Sequence, residues 1–313
     1  MKAIVNEMLQ SMVKHDPTTL PLASLYTATE NSHAAALPMM TAWRTITKAG
    51  KPSLLAIDTE AETAYFALDV TEGKNAHGQR SILWGFIKAV NQKIKYLDLY
   101  INRSRGDHGF SYSSSELKAN YKIVMNPPAD RTKASRETLD ELGESQWDTS
   151  SDFTPSVSSD CVFTEMGWSV IDPGDDGTGS TNPLGCVWPA QRPTDSKASN
   201  VVIDTKLGIV VSMGTVKGKV FPYPYYEDGK ITKMISAFIP NQMTDAQEAQ
   251  VEWYKAYLKE SDAQPMPAPV ASTGMTLRVD QYYNDELMAD QIQVNLAAAG
   301  ATNIWQSKSI AAE

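Results

Sequence analysis

Thr29-Glu30-Asn31 sets side chains able to move a proton next to each other, and Thr164-Glu165-Met166 repeats its opening later on. Glu30 closes a short β-branched and aromatic run, Ser24 to Asn31. A carboxylate beside an amide could act as a general base, with Asn31 donating to a carbonyl or enolate oxygen. If Glu30 turns inward, Leu25, Trp43, Phe66 and Trp84 would take it out of water, which raises a carboxylic acid toward neutrality. The same carboxylate could instead pin the turn that follows. Tyr96 and Asp98 make a second acid–base pair, because alternate residues of a strand share a face. Tyr26, Tyr65 and Tyr100 also fall on expected strands, where an inward phenol could donate a proton. Trp43 and Trp84 offer flat apolar walls. Arg44, next to Trp43, could hold a carboxylate or phenolate, or form a structural salt bridge. Asp16 recurs as Asp148 while His15 does not recur, which suits a helix or turn cap better than catalysis.

Other chemistries find no support. The four histidines are scattered, with no His-x-x-His or Cys-x-x-Cys spacing, so no metal is expected. No glycine-rich phosphate loop and no Gly-x-Ser-x-Gly elbow occurs, so no nucleotide or other cofactor is expected either. A net charge of −9 and a pI near 5.1 repel phosphate backbones and argue against nucleic acid. No apolar run approaches the roughly 20 residues that cross a bilayer. The first residues, MKAIVNEMLQSMVKHD, lack the order of a signal peptide. That points to the cytoplasm, with a secreted protein as the alternative if a signal has been removed. Cys161 and Cys186 read as two buried thiols, or as a single bridge. Asn102-Arg103-Ser104 is a formal glycosylation sequon.

The elements that must position these residues come in a repeated order. Ile4, Met8, Leu9, Met12 and Val13 have helical spacing, and the helix should stop before Pro17. After the Ser24–Asn31 strand and a compact segment, Ala36 to Ile46, alternation from Ser53 to Arg103 predicts long antiparallel strands with turns at Asp58-Thr59-Glu60 and Asn91-Gln92. Arg105 to Lys133 reads as a connecting arm. A helix with Ser135 as its cap then starts the order again. Asp160–Met166 gives a second short strand, and Pro183–Pro193 matches the Trp43 segment after a loop at Asp172–Thr181. Asp204-Thr205 stands where Asp58-Thr59 stood, and Lys230–Pro240 matches Lys93–Arg103. A capped helix from Thr244 to Lys259, the proline-rich Gln264–Pro269 and a further helix at Asp285–Ala298 are expected to form a tail.

The succession of helix, His-Asp-Pro, Leu-Pro-Leu-Ala, Thr-Glu-Asn, a Trp-bearing segment and a curved antiparallel sheet resembles the SnoaL-like branch of the nuclear transport factor 2-like superfamily. The likeness covers Met1 to about Arg103 well and Ser135 to Pro240 more loosely. It implies an α+β fold of two tandem cones, each a bent sheet cupping helices around an apolar pocket. The expected layout is a first domain over 1–110, a linker over 111–133, a second domain over 134–242 and a C-terminal extension over 243–313. It implies a cofactor-independent lyase, dehydratase, isomerase or cyclase acting on an aromatic or polyketide-like small molecule, with the working pocket in the first repeat. A non-catalytic binding or assembly module is the alternative. Such folds dimerise through sheet faces, so two joined copies could form an internal pseudo-dimer and leave the chain monomeric, or the chain could form a homodimer.

Overall fold

The computed structural model describes residues 1–73, 78–103, 114–148, 151–165, 167–169, 183–188, 198–227, 230–240, 245–263, 265 and 268–302. Asp172–Thr181, Met166, His108, Pro189, Arg192 and Thr244 lie outside them. The fold is α+β, with two mixed sheets and few helices. Helix α1 (Lys2–Val13) opens the first half, followed by strands β1 (Leu22–Glu30) and β2 (His33–Ala34), the single helical turn α2 (Thr41–Thr45), and strands β3 (Ile46–Ala49), β4 (Leu54–Asp58), β5 (Thr63–Glu72), β6 (Gln79–Val90) and β7 (Lys93–Asn102). Helix α3 (Ser114–Val124) connects the halves. The second half holds α4 (Arg136–Ser145), β8 (Ser156–Val157), β9 (Phe163–Glu165), β10 (Trp168–Ser169), β11 (Ser199–Asp204), β12 (Ile209–Glu227), β13 (Lys230–Pro240), α5 (Asp245–Glu260), β14 (Val270–Tyr283) and β15 (Glu286–Ala298). No helix among the described residues is long and apolar enough to cross a membrane.

Local chemistry accounts for the ends of the first elements. Ile4, Val5, Met8, Leu9 and Met12 form one buried stripe on α1. The helix stops where His15 takes a left-handed backbone (φ 56°), so that the amides of His15 and Asp16 bond back to Met12 and Ser11. Asp16 then caps the next turn by accepting from the Thr18 amide at 2.9 Å. Ser135 caps α4 in the same way, through the Thr138 amide at 3.1 Å.

The two sheets repeat one pattern. In the first, the order is β2-β1-β7-β6-β5-β3 with β4 also on β5; in the second, it is β10-β9-β15-β14-β12-β11. β1 runs parallel to β7, and β9 runs parallel to β15. The β6–β7 hairpin turns through Asn91 and Gln92 (φ 51° and 64°), the β14–β15 hairpin through Asn284 and Asp285 (φ 55° and 60°). Both are two-residue left-handed turns of the kind that match strand twist. Both hairpins also shift register close behind the turn, at Lys88/Ala89 and at Gln281/Tyr282.

This register corrects three expectations. Asp285–Ala298 is not a helix: β15 fills the place of β7, because its alternate side chains are buried on both faces of a central strand. Lys230–Pro240 is therefore not the counterpart of Lys93–Arg103. It pairs with the far half of β12, so that β13 and α5 are inserted between the counterparts of β5 and β6. A boundary at 242 accordingly cuts the second sheet, whose strands β14 and β15 lie beyond it. The arm after Arg105 contains α3, whose Leu117, Tyr121 and Val124 are buried.

Each sheet has two buried faces. In the first half, Phe66, Leu68, Leu83, Ile87, Leu97 and Leu99 pack under α1. The opposite face, with Tyr65, Ala67, Trp84, Phe86 and Tyr100, packs against α3 and against Val202, Val211, Met213, Leu277 and Val279 of the second sheet. Two aspartates lock this seam reciprocally. Asp58 ties its own turn by accepting from the Glu60 and Ala61 amides, and its other oxygen reaches the Ile203 amide at 3.1 Å. Asp204 accepts from the Lys206 and Leu207 amides and reaches the Ile57 amide at 2.8 Å. Arg136, at the start of α4, adds a two-pronged bond to Asp58 at 3.0 and 2.8 Å. Burial opposes ionisation of Asp58, but the Arg136 and backbone donors outweigh it and hold the carboxyl below its ordinary range. Its stabilising effect is therefore present above the ordinary value of 3.8 and disappears as pH falls through the lower folded value. Asp58→Ala is expected to cost about 3 kcal/mol at neutral pH, because it strips three backbone amides and the Arg136 guanidinium of their acceptor. It should also flatten the acid limb of the stability–pH curve, as read from urea unfolding at pH 7 and at pH 3.

Candidate functional site

The shared register allows the helix-facing surfaces of the two halves to be compared position by position. Thr29 pairs with Asp98 as Thr164 pairs with Gln291. One step along, Leu97 pairs with Ile87 as Asp290 pairs with Asp280, and Leu99 pairs with Gly85 as Ile292 pairs with Arg278. Where the first half has Leu97, Ile87 and Gly85, the second therefore has Asp290, Asp280 and Arg278. Phe66 on β5 likewise corresponds to Ser212 on β12.

These charged residues are almost fully buried. An Arg278 terminal nitrogen is ion-paired to Asp290 Oδ2, and the guanidinium carbon lies 5.8 Å from the centre of the Phe163 ring. Gln146, just past the end of α4, donates its Nε2 to both oxygens of Asp280 at 3.2 Å. Trp147 follows, with Nε1 donating to Ser212 Oγ at 2.9 Å and its ring lying against Gly214. A β-carbon at Gly214 would sit 2.5 Å from that ring, so the glycine makes room for the indole wall.

Two carboxylates share one guanidinium here. Burial, and then the charge of Asp290, push Asp280 well above the ordinary carboxylate range, against the pull of Arg278 and Gln146. Burial also raises Asp290, against the stronger claim that Arg278 has on it. The consistent state is an ionised Asp290 paired with Arg278 and a protonated Asp280 that donates to Asp290. Asp290 Oδ1 is buried with no hydrogen-bond partner. Arg278 Nε and Gln146 Oε1 are buried without a partner. The cluster thus holds one retained proton, a fixed cation and three unfilled hydrogen-bonding positions in a site shielded from water.

The residues singled out in the sequence do not gather in one pocket. Glu30 accepts from the Thr41 and Ala42 amides at 2.7 Å each, so its carboxylate pins the start of α2. Asn31 and Ser32 (φ 50° and 67°) form the β1–β2 turn, and Asn31 Oδ1 accepts from the Ile101 amide at 3.0 Å. Trp43 is buried under α1 and donates to Ser11 Oγ at 3.0 Å. Arg44 is exposed, Tyr26 is 38% exposed and Leu25 is 85% exposed, because β1 shifts register between Leu22 and Thr27. Leu25 therefore cannot shield Glu30.

Tyr65, Trp84, Tyr96, Asp98 and Tyr100 lie together on the opposite face, in the seam between the sheets. There Asp98 accepts from Thr29 Oγ1 and from the Tyr100 hydroxyl, the latter at 2.9 Å. Tyr100 stacks on Trp84 at 4.1 Å, and Tyr65 donates to Gln293 of the second half. Asn102 is buried and accepts from Trp84 Nε1 at 2.9 Å, which removes its sequon from the surface. Cys161 and Cys186 are bridged, with their Cα atoms 5.5 Å apart. Among the described residues no group of three or more His, Cys, Asp or Glu could hold a metal ion.

The Arg278–Asp280 pair was visible in the sequence as a period-2 signal. Met275-Thr-Leu-Arg-Val-Asp-Gln-Tyr-Tyr alternates polar or charged with apolar residues, the spacing of a strand with one polar face. Compared with known proteins, the chain matches no family model and no curated protein.

The raised acid sets a pH dependence opposite to that of Asp58. The folded state keeps a proton on Asp280 that the unfolded chain releases above the ordinary value of 3.8, so this group lowers stability as pH rises toward its folded value. Each retained proton corresponds to about 1.4 kcal/mol per pH unit. Asp280→Asn keeps the shape and removes that proton. Its stability, followed by urea unfolding from about pH 4 upward, should fall less steeply than that of the wild type.

Proposed function

We propose that the chain is a tandem pair of nuclear transport factor 2-like cones, of which the second carries a cofactor-independent acid–base site for a small, neutral, largely apolar molecule of aromatic or polyketide-like character. The reaction class is that of a lyase, dehydratase, isomerase or cyclase. Asp280 is the acid: its proton passes to a carbonyl or enolate oxygen, and the carboxylate left behind is stabilised by Arg278 and Gln146. The negative charge of Asp290 keeps the acid protonated between turnovers. Arg278 Nε offers a donor to the developing oxyanion.

The observation that carries this reading is the contrast inside the molecule. At matching positions the first half packs Leu97, Ile87 and Gly85, while the second buries two acids and an arginine. Buried ion pairs are commonly no more stable than an apolar replacement, so such a cluster needs a reason other than stability. The first half, whose helix-facing surface is filled by α1 and its own apolar side chains, fits the scaffold role instead. On this reading the working site belongs to the second repeat rather than the first. The Cys161–Cys186 bridge favours an oxidising compartment over the cytoplasm.

The test replaces the second half's charges with apolar residues of similar volume: Arg278→Met, Asp280→Ile and Asp290→Leu together. The triple variant is expected to be more stable by about 1–4 kcal/mol. It should also lose the thermal shift that aromatic and polyketide-like compounds give the wild type. Compounds that shift both proteins equally would remove the site from the second half. A large loss of stability would mean that the cluster is structural.

A further inference from the structure

We propose that the Cys161–Cys186 disulfide is a redox control on this site, acting through strand β9; the inference rests on the acid–base reading above. β9 has three residues, Phe163–Glu165, and among the described residues it pairs with β15 at Asp290, Gln291 and Ile292. Its outer neighbour β10 has two. Strands this short hold their place only through what fastens them. The fastening lies just ahead of β9. The bridge joins Cys161 to Cys186, the Cys186 amide bonds to Cys161 O at 3.1 Å, and the Phe163 amide bonds to Leu184 O at 3.0 Å.

Phe163 is the residue opposite Asp290, and its ring covers Arg278. The disulfide therefore holds a side chain that covers the ion pair from the β9 side. A dithiol reductant would supply two electrons and two protons, turning the bridge into two thiols while the reductant becomes a cyclic disulfide. With the tether gone, the segment from Leu184 to Cys186 no longer clamps β9. The strand frees itself from β15 and water reaches the acid pair. The groups facing Asp280 and Asp290 are Arg278 from the sheet, Gln146 from the end of α4, and Glu165 further along β9.

Hydrogen exchange on the full chain, oxidised and after verified reduction by dithiothreitol, tests this. A Cys161→Ser/Cys186→Ser double variant serves in case the buried Cys161 sulfur resists the reagent. Exchange at Phe163–Glu165 and Asp290–Ile292 is expected to rise at least tenfold while β5–β7 keep their protection. Titration of Asp280, followed by carboxyl 13C resonances, should move toward the ordinary carboxylate range in the reduced protein only. Unchanged exchange in β9 and β15, or equal loosening of both halves, overturns the proposal. If Asp280 already titrates in the ordinary range in the oxidised protein, the acid–base reading falls, while a local loosening of β9 remains separately measurable.

Discussion

Asp58 and Asp204 reach across the seam between the sheets, and each takes a backbone amide beside the other's strand end. The exchange is the signature of a two-fold contact, in which what one copy gives the other returns. Here both copies belong to one chain. The lock sets β4 against β11, and that juxtaposition lets Tyr65 reach Gln293 and seats α3 in the shared apolar layer. Each sheet is thereby covered on one face by the other sheet and on the other face by its own elements. Charges can be buried under the second sheet because the layer behind it is sealed.

The two halves spend that shelter differently. The first places its polar groups in the seam, where Asp98, Tyr100, Thr29 and Asn102 satisfy one another or bond to Trp84, and it keeps the surface under α1 apolar. The second lines the seam with the amides of Gln291 and Gln293 and puts its acids and arginine on the side that faces α4. Desolvation drives the consequence. A carboxyl that shares one guanidinium with a second carboxyl, away from water, keeps its proton. In the first half, Glu30 meets two backbone amides instead and serves as a pin. The threonines at matching strand positions differ as well: Thr29 Oγ1 donates to Asp98, whereas Thr164 lies opposite Gln291.

Several features were legible from residue order. The Asp58-Thr59 and Asp204-Thr205 echo marked the turns that later proved to be the lock. Asn91-Gln92, Asp16 and Ser135 announced a turn and two caps by side-chain chemistry that acts within a few residues. The candidate site was not legible in the same way. Asp280 and Asp290 face each other across a hairpin whose second strand is rich in helix-forming residues, Glu286-Leu-Met-Ala-Asp. Intrinsic preference pointed one way, and pairing with both β14 and β9 decided the other.

By itself, the amino-acid order determined what short-range forces can enforce: an amphipathic first helix, tight turns, caps, strands from alternation, and a pattern played twice. The tertiary structure alone decided which strand completes the second sheet, which face of each strand is shielded, and therefore which acid keeps its proton. Alternation places Arg278 and Asp280 on one side of a strand but does not say what lies over that side. That is settled by contacts between residues far apart in the chain, here α4 and β15 closing on β14, and such contacts leave no local mark in the order of residues.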